Sequence, residues 1–131
     1  MYDIRSRADI VSAMDIQAIA ATTVITGETI AALPNGYEAL DFCFMFEITS
    51  GDYEIKLYEG DESDMSDEAL VDSDFVVGDL SIASVTGTQY IHVGYVGYKS
   101  YVRAKLHPTN TPVCDVAGIA YKQKQKHCPT V

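Results

Sequence analysis

The sequence has no tryptophan, only three cysteines, four prolines and nine lysines or arginines. Each scarcity excludes something. Cys43, Cys114 and Cys128 are odd in number and lack CxxC spacing, which argues against a disulfide framework or a zinc knuckle and predicts reduced thiols. Nine basic residues against 19 acidic ones leave a net charge of −10, so the molecule as a whole repels nucleic-acid phosphate, and no nucleic-acid partner is expected. No stretch approaches the ~18 uninterrupted apolar residues of a membrane span. The opening MYDIRSRADIVSAMDIQ has no continuous apolar core of an export signal, so the expectation is a protein made in the cytosol, without export and without a membrane partner.

Catalytic patterns are missing as well. There is no GxSxG, P-loop or dinucleotide-binding glycine pattern, and Gly94-Tyr95-Val96-Gly97 has no helix after it to hold a phosphate. His92, His107 and His127 never reach a paired-ligand spacing, and His107, before Pro108, reads as a loop residue. Asp61, Glu62, Asp64, Asp67 and Glu68 cluster oxygens of the kind Ca²⁺ takes, but they miss the EF-hand spacing. No catalytic, metal or cofactor residues are assigned, and the expectation is a protein that is not an enzyme.

What is present is β-forming. Nine tyrosines and four phenylalanines suit pleated sheets. In Tyr37 to Thr49, Leu40, Phe42, Phe44, Phe46 and Ile48 fall on one face, while Ala39, Asp41, Cys43, Met45 and Glu47 fall on the other. Ser50-Gly51-Asp52 reads as a turn, and Tyr53, Ile55 and Leu57 as the return strand of a hairpin. Tyr90 to Leu106 reads as a second hairpin, with Ser100, Val102, Ala104 and Leu106 buried opposite Lys99, Tyr101, Arg103 and Lys105.

Other elements are shorter. Met14 to Ile19 fits either a helix or a strand, and the β-branched run Thr22 to Ile25 favours strand. Thr26-Gly27-Glu28 suggests a turn into a return strand, Thr29 to Ala32. Glu59 to Asp74, with eight carboxylates, reads as a solvated loop. Phe75 to Val77 and Leu80 to Ala83 are short strands. His107 to Pro112 is expected to break the sheet, since proline cannot donate to a ladder. Val113 to Tyr121 is then the last strand.

These elements predict one domain over residues 1–131: an N-terminal arm (1–13), an antiparallel β-sandwich or jelly-roll-like barrel (14–121) and a C-terminal tail (122–131). Charge is polarised along the chain. Residues 1–98 carry 3 basic and 18 acidic side chains, whereas residues 99–131 carry 6 and 1, a distribution suited to docking contacts.

The segments DIVSAMDIQAIAATTVITGETI, GYEALDFCFMFEITSGDYEIKLYEGDES, YIHVGYVGYKSYVRAKL and VAGIAYK together resemble the small β-rich head proteins of tailed bacteriophages, some of which are capsid decoration, or cement, proteins. The sequence departs from that pattern at Ser63-Asp64-Met65-Ser66 and in its lysine-rich end. The resemblance implies a virion protein, made in the host bacterial cytoplasm, that binds the outer capsid surface and bridges subunits of the major capsid protein, as a dimer or trimer. A head-completion or tail-associated protein and a glycan-binding β-sandwich on the virion are the alternatives. Tyrosine and arginine are favoured at interfaces, and chain ends serve as clamps. The partner-contact candidates are therefore Arg5, Arg7, Tyr98, Tyr101, Arg103, Lys122, Lys124 and Lys126.

Overall fold

Two strands of 24 residues each, β4 (Tyr37–Gly60) and β9 (Tyr101–Lys124), run antiparallel along almost their whole length, and every other strand but one, which pairs at the sheet's far edge, pairs with one of them. The structure, a computed structural model, describes residues 8–31, 37–97 and 99–124. The remaining strands are β1 (Ala8–Ile19), β2 (Ile25–Thr26), β3 (Ile30–Ala31), β5 (Ala69–Leu70), β6 (Val76–Val77), β7 (Ser81–Ile82) and β8 (Gly87–Tyr95). Among the described residues a 3-10 turn at Ser73–Phe75 is the one helical segment.

The β4–β9 pair is bent double. Near the bend the register slips: Ser50 faces Val113 and Asp52 faces Thr109, which leaves residues 110–112 opposite Gly51 alone. Gly51 has φ +100°, and a Cβ there would meet Pro112 Cα at 2.5 Å, so glycine is required. Asn110 and Thr111 take the left-handed conformation, and Ser50 Oγ donates to Thr111 O at 2.7 Å to hold the bulge.

On one side of the bend the sheet order is β1-β9-β4-β8-β6. On the other side β2 and β3 flank the first half of β9, while β5 and β7 flank β4. The two halves form an antiparallel β-sandwich around a single core. Leu40, Phe42, Phe44, Phe46 and Ile48 enter it from one layer, and Tyr53, Ile55, Leu57, Val102, Ala104 and Leu106 from the other. Phe46 and Tyr53, one from each arm of β4, meet at 5.5 Å between ring centroids. The buried faces of both strands follow the sequence alternation, and the phase changes from even to odd across residues 49–52 of β4 because the bend adds an odd step.

Several sequence expectations change. Ser50-Gly51-Asp52 is a corner within one strand, not the turn of a hairpin: both arms of β4 find their partner in β9, so the strand bends without pairing with itself. Tyr90 to Leu106 is likewise not a hairpin. β8 and β9 lie on opposite sides of β4, with Leu40 in register with both Tyr95 and Lys122, and the intervening residues cross between layers.

The His107 to Pro112 break does not occur either. β9 is continuous through it, and His107 is a strand residue rather than a loop residue. Pro108 lies opposite Tyr53 and Pro112 lies within the bulge, where the register slip spares a ladder bond. β9 therefore continues beyond Tyr121 and takes up residues 122–124 of the expected tail.

At the N-terminal side, residues 8–13 of the expected arm belong to β1, which settles Met14 to Ile19 as strand, whereas 20–24 are irregular. β2 and β3 do not fold back on each other. They run in one direction along β9, Ile25 opposite Leu106 and Ile30 opposite Val102, with a bulge between them. There Gly27 N donates to Ala104 O and Glu28 N to Ala13 O, each at 2.8 Å, which ties β1 of one layer to β9 of the other.

Candidate interaction surfaces

The outward face of the second layer is charged. Register sets Tyr58 opposite Arg103, Lys56 opposite Lys105 and Glu54 opposite His107. Glu68, just before β5, reaches across this row. Its Oε1 accepts from Arg103 Nε at 2.9 Å and pairs with Nη2 at 2.6 Å, and its Oε2 accepts from Lys105 Nζ at 2.7 Å. Lys105 also sits 4.6 Å from the centroid of the Tyr58 ring, a cation–π contact. The Lys105 hydrogen bond, and then those from Arg103, hold the Glu68 carboxyl below the usual carboxylate range.

The acidic loop is built by its own carboxylates. Asp67 accepts from the backbone N–H of Asp61 at 2.9 Å and of Glu62 at 3.3 Å, and Asp64 accepts from Ser66 N at 2.9 Å. Lys99 pairs with Asp61 at 3.1 Å. Met65 is buried inside the loop although its neighbours are exposed. These bonds hold Asp64 and Asp67 in the ionised form. Among the described residues no three His, Cys, Asp or Glu side chains converge where a metal ion would sit.

His107 lies further along the row. Its Nε2 is buried without a hydrogen-bond partner. Burial first, then the Lys56 charge, pull its pKa below the ordinary imidazole value; Glu54 opposes them and Lys105 adds to them. Among the described residues Cys43 and Cys114 are free thiols; Cys43 is half-buried, and burial pushes the Cys114 thiol up.

The outward face of the first layer is different in kind. Met45 lies between Tyr90 on β8 and Ala117 on β9, and Cys43 between His92 and Ile119. Tyr90 is 62% exposed and Met45 and Ile119 nearly half exposed, so a band of apolar side chains crosses three strands in water. Between β4 and the 70–80 segment runs a groove of about 540 Å³, with Glu54, Lys56, Leu57 and Asp72 in its wall and no aromatic ring.

The contact candidates separate under this geometry. Tyr101 opens β9, half-buried, opposite Gly60 and Ala31. Arg103 is on the same face but is held by Glu68. Lys122 lies in the other layer, in register with Asp9 and Leu40, and lines the cleft between β1 and β3. Lys124 is the last residue of β9, and its side chain lies outside the described residues, as do Arg5, Arg7, Tyr98 and Lys126. The structure thus brings Tyr101 and Arg103 together and leaves Lys122 apart. Sequence reading missed the Tyr90–Met45–Ile119 band. Alternation marked Met45 as outward, but only the pairing of β4 with both β8 and β9 shows what lies beside it.

No family model and no curated protein matches the chain. Among solved structures it is similar to the N-terminal CBM22-1–GH10 modules of Clostridium thermocellum endo-1,4-beta-D-xylanase 10B, complexed with xylohexaose, with a TM-score of 0.50 and 10% identity. The match covers 92% of this chain and 28% of that one. It is a likeness of fold.

Proposed function

We propose that this chain is a non-enzymatic structural protein of a tailed-phage virion that docks on the outside of the shell and stabilises contacts between major capsid protein subunits. The observation that carries the reading is the exposed apolar band of Tyr90, Met45 and Ile119 on the outward face of the first layer. Water-exposed apolar surface of this kind favours protein contact, and an aromatic ring with a polar tip is a common anchor. The resemblance to phage head proteins supplies the identity of the partner, and a cement needs no reaction centre. Arg103 is a weaker contact than its position in the sequence implies, because a capsid carboxylate has to displace Glu68 to reach it.

Cosedimentation of the purified protein with shells of its own phage tests this. Binding in many copies per particle, weakened by Tyr90→Ala, and greater heat resistance of decorated shells are expected. Failure to bind, or equal robustness of bare shells, overturns it. A few copies at one vertex would indicate a head-completion or tail-associated protein instead.

The likeness to a xylanase structure solved with xylohexaose favours one second reading, a glycan-binding sandwich. The groove beside β4 offers no ring for a sugar to stack on, so Tyr90 is the residue such binding would use. Glycan-array signal lost in Tyr90→Ala supports that reading, and a silent array rejects it.

A further inference from the structure

The exposed band on the outward face of the first layer ends at carboxylates on both sides. Along β4, residues 41, 43, 45 and 47 share that face, so Asp41 precedes the band and Glu47 follows it, about 20 Å away at the rise of a strand. A Cβ on Gly94 would stand 3.0 Å from Asp41 Oδ1, which places this carboxylate over β8. At the other end Glu47 faces Asp115 of β9 directly in register.

Glu47 and Asp115 form a like-charge cross-strand pair, an arrangement that destabilises a sheet. Both are exposed. The Thr88 hydroxyl donates to Glu47 from β8, and Asp115 faces Ala18 of β1 on its other side, so neither neighbour is a cation. The lysine and arginine side chains among the described residues lie elsewhere. Lys56, Arg103 and Lys105 are on the outward face of the second layer, Lys99 pairs with Asp61, and Lys122 lines the cleft between β1 and β3. The first layer thus presents an apolar strip between two acidic ends, the pattern of an interface core with a charged rim.

We propose that this face receives a segment of the capsid subunit whose apolar side chains cover Tyr90, Met45 and Ile119 and whose lysines or arginines stand at both ends, one against Asp41 and one against the Glu47–Asp115 pair. The inference deepens the capsid reading and rests on it. Charge selects the occupant. With carboxylates at both ends, stacking this face on the same face of a second copy sets acid near acid in either direction. The outward face of the second layer is no match, because Glu68 already holds its Arg103 and Lys105. A cation arriving beside Glu47 and Asp115 removes a repulsion that the free chain carries. The apolar band supplies adhesion, while the rim charges steer the approach and fix its register.

Cosedimentation of variants with bare shells of the same phage tests this, beside the melting temperature of each variant alone. Asp115→Asn should weaken docking roughly fivefold in about 0.05 M salt, the size of an exposed ion pair, and should lose that deficit in about 0.5 M salt. As free protein the same variant should melt above wild type, because the repulsion opposite Glu47 is gone. Asp115→Lys, which sets a cation opposite Glu47, should melt higher still and dock more weakly. A residue that merely supports the fold would move both readouts down together. Tyr90→Ala should weaken docking at both salt concentrations. If wild type docks and Asp115→Asn docks equally well at low salt, this inference is overturned and the capsid reading stands; a wild type that does not dock overturns both. An oligomer of the free chain that dissociates in Tyr90→Ala also overturns the inference, by assigning the face to a second copy.

Discussion

The hydroxyl of Tyr95, the last residue of β8, donates to Glu59 Oε1 at 2.8 Å across the open end of the sandwich, opposite the bend in β4 and β9. The same oxygen accepts from Lys99 N at 3.1 Å, so one buried phenol joins the two layers and anchors the crossing between them. Tyr95→Phe keeps the ring and removes both bonds. A loss of about 1 kcal/mol in denaturant unfolding is expected, with faster proteolysis around residues 96–100. Unchanged stability would show that the ring alone closes this end.

Gly118 lies over Phe44, and a Cβ on it would overlap the phenyl ring. Gly118→Ala therefore overpacks the core and should cost about 1–3 kcal/mol. Gly87, with φ +86° and nothing near a would-be Cβ, serves as the contrast, since its alanine variant bears backbone strain without a clash. Chemical denaturation of the two variants side by side separates packing from backbone.

Glu68 holds Arg103 and Lys105 with about a fifth of each side chain still in water. Solvent screening keeps this network modest, and Glu68→Gln should lower stability by about 1 kcal/mol, less at high salt. The carboxyl is held low in the folded state, so its contribution is present above the ordinary carboxylate pKa and is lost as pH falls through the folded value. Below that point wild type and Glu68→Gln should converge in stability. A constant difference at all pH values would contradict the ion-pair account.

His107 produces a second acid dependence, in a separate window. Its pKa is depressed in the folded state, so the unfolded chain takes up the proton first, and stability falls as pH drops below about 6.5. Lys56 and Lys105 strengthen this effect and Glu54 weakens it. In His107→Gln the change in melting temperature between pH 8 and pH 5.5 should shrink. An identical slope in the variant would place the titration elsewhere.

The burial pattern was legible in the sequence, but the pairing was not. Phe42, Phe44 and Phe46 announce a buried face by alternation alone, and so do Val102, Ala104 and Leu106. Gly51 and the change of phase from Ile48 to Tyr53 mark a disruption, yet a corner and a hairpin turn share that signature. Only the partner strand separates them, and it lies 41 residues away at the near end, Gly60 to Tyr101. The prolines misled for a related reason. A missing N–H breaks a ladder only where the register needs that donor, and register is a property of two strands. Of the contact candidates, Arg103 was located correctly on the wet face, but its engagement by Glu68 depends on a loop that alternation cannot place.

The doubled-over β4–β9 pair also governs how the chain acquires its structure. The contact between Gly60 and Tyr101 closes the shortest loop, and each further pair encloses more chain until Tyr37 meets Lys124. Loop-closure entropy thus makes zippering from the open end toward the bend, then outward along the other arm, the least costly order of events. β1 has nothing to pair with until the last stretch of β9 is in place. Such non-local pairing puts the chain among slow folders, in the millisecond-to-second range of β-sandwiches, and the exposed edge is the last part to form.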